Sequence, residues 1–350
     1  MMEKLMDFRK FINNLYKYKS LSIIGLEKNT GKTTTLNFLI NKFKNKKLGI
    51  TSIGRDGEER DVVTYTNKPK IYVNENTVVA TSKSSFLKSD ATFEILDVMD
   101  INTPLGNIII GRSVHPGFVE IAGTSTKSQT IKVINKLSEY GCEFIIIDGA
   151  LSRKTFADPK ITEASILCTG AAFSEDIDML TEETYNTLKL LSIDKAEKDI
   201  VQLYKENMKD CKIAFLYGNE VKKSNLKTSI NASKEIILNF NDYLKFVFIK
   251  GILTDNLIRD MLNAKLNLKS VTFVVEDGTK LFIDKNNFET FMAKGGKIRV
   301  VNNINIIGVS VNPVSPSGCV LDYNELWRKL KRKIDIPVFN VMDYDLDVME

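Results

Sequence analysis

Two hydrophobic periods alternate along this chain, one helical and one extended, and their order outlines a fold before any single residue is considered. Leu5, Phe8, Ile12 and Leu15 stand at helical spacing, so residues 1–20 read as an amphipathic lead-in helix. Residues 21–25 form an apolar run that stops at Gly25, and a short polar loop follows. Over 32–46, Leu36, Leu39, Ile40 and Phe43 recur at i, i+3, i+4 and i+7, the spacing of a helix with one buried face. Residues 48–54 then predict a second strand. A strand–loop–helix–strand unit of this kind implies a parallel sheet with right-handed crossovers.

The pattern continues with less regularity. Residues 60–112 predict short strands near 70–73, 77–81 and 107–111 and a helix near 89–98, and 118–122 is a further strand candidate. Gly123 to Gln129 launches a helix that runs to about Tyr140, with Gly141 as its cap. Phe144 to Ala150 is a continuous apolar run closed by Asp148, as expected of a parallel strand covered on both faces. Further strands are expected at 164–169, 212–217, 245–249, 271–276, 280–283, 298–301 and 304–311. Helices are expected at 175–192, 195–208, 254–263, 286–293 and 322–332. Glu276-Asp277-Gly278-Thr279 reads as a hairpin turn. The fold class is therefore α/β, a mostly parallel sheet flanked by helices, with a second, smaller α/β lobe. No low-complexity linker marks the junction. The expected division is 1–194 for a nucleotide-binding domain and 195–350 for the C-terminal lobe, with one continuous sheet as the alternative.

Composition narrows the class of protein without naming a chemistry. Apolar residues make up 43% of the 350 and charged residues 27%, the proportions of an ordinary globular chain. No run approaches the roughly 18 apolar residues of a membrane span. The N-terminal decapeptide carries acidic residues and no apolar core, so a cytoplasmic location is expected rather than a secretory signal. The net charge of +5 is spread over Lys-rich helical stretches such as 41–47, and a solvated helix face explains it better than a nucleic-acid footprint. The four cysteines, Cys142, Cys168, Cys211 and Cys319, form no Cys-x-x-Cys pair, which argues against a zinc ribbon or a redox dithiol. The sole histidine, His115, precedes Pro116 in an expected loop.

The candidate chemistry lies at the first loop. Gly25-Leu26-Glu27-Lys28-Asn29-Thr30-Gly31-Lys32-Thr33-Thr34 joins a strand to a helix, the layout of a phosphate-binding P-loop. Five residues separate Gly25 from Gly31, one more than the common P-loop spacing. Backbone N–H groups of Lys28, Asn29, Thr30 and Gly31 would converge on an anion, with Lys32 supplying a mobile positive charge to the β- and γ-phosphates. The Thr33 hydroxyl is a candidate Mg²⁺ ligand, and Thr34 a further donor in the first turn. Asp148, closing its apolar strand, fits the carboxylate that holds the Mg²⁺ shell. Ser52 to Asp61 is a charged, glycine-punctuated loop at the carboxyl end of the second strand; in it Asp56 is a candidate to orient a water or complete the metal shell, and Arg55 to bind phosphate. Arg153, a few residues after Asp148, is a further candidate to approach the phosphates. Gly123-Thr124-Ser125 offers either an anion site or an N-cap. Asn312-Pro313, after an apolar strand, offers either a turn or a contact to a base or a partner.

Several of these stretches together resemble a known family. The long glycine loop is similar to that of dethiobiotin synthetase and of the wider P-loop class that includes ParA/MinD ATPases. Gly25 to Thr35, Thr51 to Glu58, Asp148 to Lys154 and Val311 to Pro316 more closely resemble the P-loop ATPase subunit of the lysine 5,6-aminomutase (ornithine aminomutase) reactivase family. That resemblance implies an ATP- and Mg²⁺-dependent hydrolase acting as a chaperone in amino acid fermentation. Its implied partners are a MutS-like second subunit and a cobalamin- and PLP-dependent aminomutase, from which inactivated cobalamin is released. The chain has no Asp-x-His-x-x-Gly cobalamin motif, so the partner would hold that cofactor. In some P-loop subclasses a second loop lysine reaches across a dimer; Lys28 stands one position away from that pattern. The competing readings are an ATP-dependent ligase of the dethiobiotin-synthetase type and a nucleotide-gated binding module.

Overall fold

The computed structural model describes residues 2–53, 71–149, 161–230 and 232–343. The chain opens with α1 (Met2–Leu15), β1 (Ser20–Gly25), α2 (Lys32–Lys42) and β2 (Leu48–Ile53). It continues through β3 (Ile71–Val73), β4 (Val78–Ser82), α3 (Lys83–Leu87), β5 (Thr92–Thr103), β6 (Gly106–His115) and β7 (Gly117–Val119). Then come α4 (Lys127–Glu139), β8 (Phe144–Gly149), β9 (Ala164–Gly170) and α5 (Ile177–Leu191). A second series follows: α6 (Lys198–Asn207), β10 (Ile213–Tyr217), β11 (Glu220–Lys223), α7 (Ser233–Leu238), β12 (Leu244–Ile249), β13 (Leu253–Thr254) and α8 (Asp255–Asn263). After it run β14 (Thr272–Val275), β15 (Leu281–Phe282), α9 (Lys285–Ala293) and β16 (Lys297–Val300), and the chain ends in β17 (Ile306–Asn312), α10 (Tyr323–Lys331) and β18 (Val338–Phe339).

Two compact units result, one of residues 1–185 with 305–350 and the other of residues 186–304. The first is built on a nine-stranded sheet in the order β18-β17-β9-β1-β8-β2-β4-β6-β5. From β18 to β4 the neighbours are parallel, and the β6 and β5 edge is antiparallel. β1 is central, with Ile23 opposite Asp148 of β8 and Gly25 opposite Cys168 of β9. Strands β1, β2, β8 and β9 are buried almost throughout, and β8, covered on both faces, reads as a continuous apolar run rather than an alternating one. On the α1 side, Phe8 and Phe11 pack with Phe38 and Phe339, the Phe11 and Phe339 rings stacked at 4.0 Å. The second unit has a five-stranded sheet, β11-β10-β12-β14-β16, with Phe215, Val247, Phe273 and Phe291 in its core. Among the described residues no helix is long and apolar enough to cross a membrane.

Three expectations are corrected. The C-terminal lobe does not run over 195–350: β17 pairs with β9, so the chain re-enters the first sheet after residue 304. The apolar run of β17 carries no mark of which sheet it joins. The helix expected near 89–98 is instead the long strand β5, antiparallel to β6. Its register shifts after Thr92, Ile95 and Val98, and these bulges disturb the two-residue alternation that would have announced a strand. Residues 276–279 make no hairpin. β14 is parallel to its neighbours on both sides, and the Asp277 carboxylate accepts from the Thr279 N–H to form a short 3-10 turn.

Candidate functional site

The carboxyl ends of β1, β8, β9, β2 and β17 lie along one edge of the first sheet, because these strands are parallel. In open parallel sheets this edge is where loops can receive a ligand. The loop leaving β1 occupies its middle. Asn29 and Gly31 both have left-handed backbone, at φ 59° and 90°, and Gly31 is the N-cap of α2. No side chain caps this helix. Thr35 N–H closes the first helical bond on Gly31 O at 2.9 Å, so the N–H groups of Lys32, Thr33 and Thr34 have no intrahelical acceptor. They point out of a helix end that carries partial positive charge.

The loop is folded back on itself. Thr30 Oγ1 donates to Glu27 O at 2.9 Å, and Lys32 Nζ donates to the same carbonyl at 2.8 Å. Gly25 makes room for this closure: a Cβ there would stand 2.7 Å from Thr30 Oγ1 and 2.8 Å from Lys32 Nζ. Thr30 is buried, Lys28, Asn29, Lys32 and Thr33 are half-buried, and Thr34 is exposed. The eight loop residues singled out from the sequence therefore lie together on one loop and first turn.

Asp148 joins them from the neighbouring strand. It pairs with Ile23 on one side and Ser52 on the other, so its carboxylate leaves the sheet beside the root of the loop. Lys32 and Asp148 both act on the Cys168 thiol. Burial pushes that thiol up to about 11, the Asp148 charge adds to the rise, and Thr35, Lys32 and Ser310 oppose it. Cys168 of β9, paired with Gly25 of β1 and fully buried, is thus a neutral core thiol with its Sγ 3.6 Å from Thr35 Oγ1. Asp56, Arg55 and Arg153 lie outside the described residues.

Sequence reasoning did not find what holds the loop from below. Thr35 Oγ1 donates to Gly31 O at 3.0 Å and lies 2.8 Å from Ser310 Oγ on β17, a contact in which Ser310 is left to donate. Asn312, the last residue of β17, donates through Nδ2 to Asn29 O at 3.1 Å. Its Oδ1 accepts from Val314 N–H, so the expected turn exists and the amide also reaches the loop. The backbone of Asn312 is seated against β9, where Ala171 N–H donates to Asn312 O and a Cβ on Gly170 would lie 2.1 Å from that oxygen. The strand-end asparagine was visible in the sequence, but its target lies 283 residues away.

The second candidate helix start is occupied by its own side chains. α4 begins at Lys127 with Thr126 accepting from Gln129 N–H, and the buried Thr124 hydroxyl is 2.7 Å from Thr130 Oγ1. This is the N-cap reading, placed one residue later than Ser125. His115, expected in a loop, is the exposed last residue of β6.

The chain matches no protein-family model, no curated protein and no solved structure.

Proposed function

We propose that the protein is a P-loop ATPase, binding Mg²⁺-ATP on the loop from Gly25 to Thr34 and hydrolysing it. One observation carries the reading: α2 opens on a left-handed, uncapped Gly31, with the Lys32 amine folded over the loop that precedes it. Unpaired helix N–H groups, the helix dipole and one cation make a receptor for a polyphosphate. Lys32 exchanges the Glu27 carbonyl for phosphate oxygens, and Gly25 leaves space for that movement. The Thr33 hydroxyl and the Asp148 carboxylate are hard oxygen donors, which suit Mg²⁺. In this reading the ion is held by these two residues and by phosphate oxygens, with Asp56, outside the described residues, as the further candidate for its shell. Bound Mg²⁺ neutralises charge on the phosphates. Asp56 is the residue proposed to orient the attacking water.

The purpose proposed for this turnover is reactivation of a cobalamin-dependent aminomutase together with a MutS-like subunit. The support is the resemblance carried by the four stretches quoted above. A loop ordered by the γ-phosphate and released on hydrolysis, such as 52–61, would carry the state to the partner. The test is ATP turnover by the purified protein, alone and with the MutS-like subunit and inactivated mutase. Restored mutase activity that requires both subunits, ATP and cobalamin is expected. ATP turnover without any restoration would remove the reactivase role. A phosphorylated or ligated carboxylic acid formed with stoichiometric ADP would assign the protein to ligase chemistry instead.

A further inference from the structure

The loop from Gly25 to Gly31 is not held in shape by its own sequence alone. Two of its residues have left-handed backbone, and one of them, Asn29, is not glycine. Backbone of this kind persists where the surroundings over-determine it. Here the surroundings are β17. Asn312 Nδ2 fixes the Asn29 carbonyl, and Ser310 Oγ, through Thr35 Oγ1, fixes the Gly31 carbonyl. The two carbonyls lie on either side of Thr30, so both arms act on the same short stretch. The Cβ of Asn312 also sits beneath Gly31, where a glycine Cβ would approach it to 3.0 Å.

Resting on the phosphate-site reading above, we infer that Asn312 and Ser310 are positioning residues that hold the glycine loop in its anion-receiving shape before any ligand arrives. Neither touches the phosphates. Asn312 occupies the Asn29 carbonyl directly and Ser310 holds the Thr35 hydroxyl that occupies the Gly31 carbonyl, so that the N–H groups of the same peptide units stay turned outward. A loop already ordered loses less conformational freedom on binding, and affinity rises by that difference. Without the arms the loop samples other conformations, and the apparent affinity falls by the fraction of time the receiving shape is present.

The assignment is testable with variants that leave Lys32, Thr33 and Asp148 in place. Asn312→Ala and Ser310→Ala are each expected to weaken binding of ATP and of inorganic pyrophosphate about three- to tenfold, the scale of one neutral hydrogen bond. Hydrogen exchange of the free protein supplies the readout that a merely structural role would not move. Amides of 26–31 should exchange faster in both variants while those of β1 and β8 stay protected. Ser310→Ala carries the same test if Asn312→Ala does not fold. Wild-type affinity in a folded variant, with unchanged exchange over 26–31, would overturn the inference. If the wild-type protein binds neither ATP nor pyrophosphate, the phosphate-site reading fails; faster loop exchange in the variants would still uphold the two arms.

Discussion

Lys32 and Asp148 divide the work of the candidate site between a movable charge and a fixed one. The lysine amine rests on a backbone carbonyl, a contact easily exchanged, whereas the aspartate is set by strand pairing on both sides. Lys32→Ala should therefore lower kcat for ATP by about 100-fold or more, since charge stabilisation at the transferring phosphoryl group is lost. Steady-state ATPase assays check this, and unchanged turnover would sink the P-loop assignment. Asp148→Asn keeps the shape and removes the charge. Half-saturation by Mg²⁺ should then rise about 10- to 100-fold, within the range seen when a metal site loses a supporting group. An unaltered Mg²⁺ titration would argue that Asp148 only caps its strand. At this scale the strand–loop–helix layout around Gly25, Gly31 and Lys32 and the strand that carries Asp148 were legible, because both are local patterns. Ser310 and Thr35 were not legible as supports of the loop, since a serine in an apolar strand announces nothing until the strand is placed.

Helices and strands were read well wherever a single period ran undisturbed. α2, α8, α9 and α10 begin and end within a few residues of their expected limits, and β1 and β8 kept their apolar runs because both faces are covered. The reading failed at β5, where bulges displace the alternation, and at 276–279, where the Asp–Gly pair serves a capped turn. α1 illustrates a different gain from the structure. Its helical spacing was clear, but Phe11, absent from the expected face, proves to be fully buried and stacked on Phe339. Gly308 of β17 gives both rings their space: a Cβ there would come within 2.9 Å of Phe339 and 3.1 Å of Phe11. Phe11→Ala should cost about 3–5 kcal/mol, the usual loss for emptying a buried aromatic site. Denaturant unfolding followed by a probe in the first unit would measure it. A loss below about 1 kcal/mol would mean that the site collapses around the smaller side chain.

For the molecule as a whole, the sequence carried the α/β class and the presence of more than one sheet region, but not the division between them. Contact between β17 and β9 is a relation across the chain, and no composition shift near residues 186 or 305 reports it. The unit of residues 186–304 has its own sheet, its own buried aromatic cluster and a length within the ordinary range for a domain. It should fold when expressed alone, giving a single cooperative thermal transition and dispersed amide resonances. A fragment lacking fixed tertiary signals would show that its stability depends on the rest of the chain.

The late return of β17 also orders events in time. Synthesis runs from the N-terminus, and domains can begin to fold as they emerge. The glycine loop leaves the ribosome before Ser310 and Asn312, which follow only after the whole intervening unit has been made. A nascent chain thus carries the glycine loop before β17 is there to meet it. A chain interrupted before residue 310 would carry the loop without either the Ser310 or the Asn312 contact.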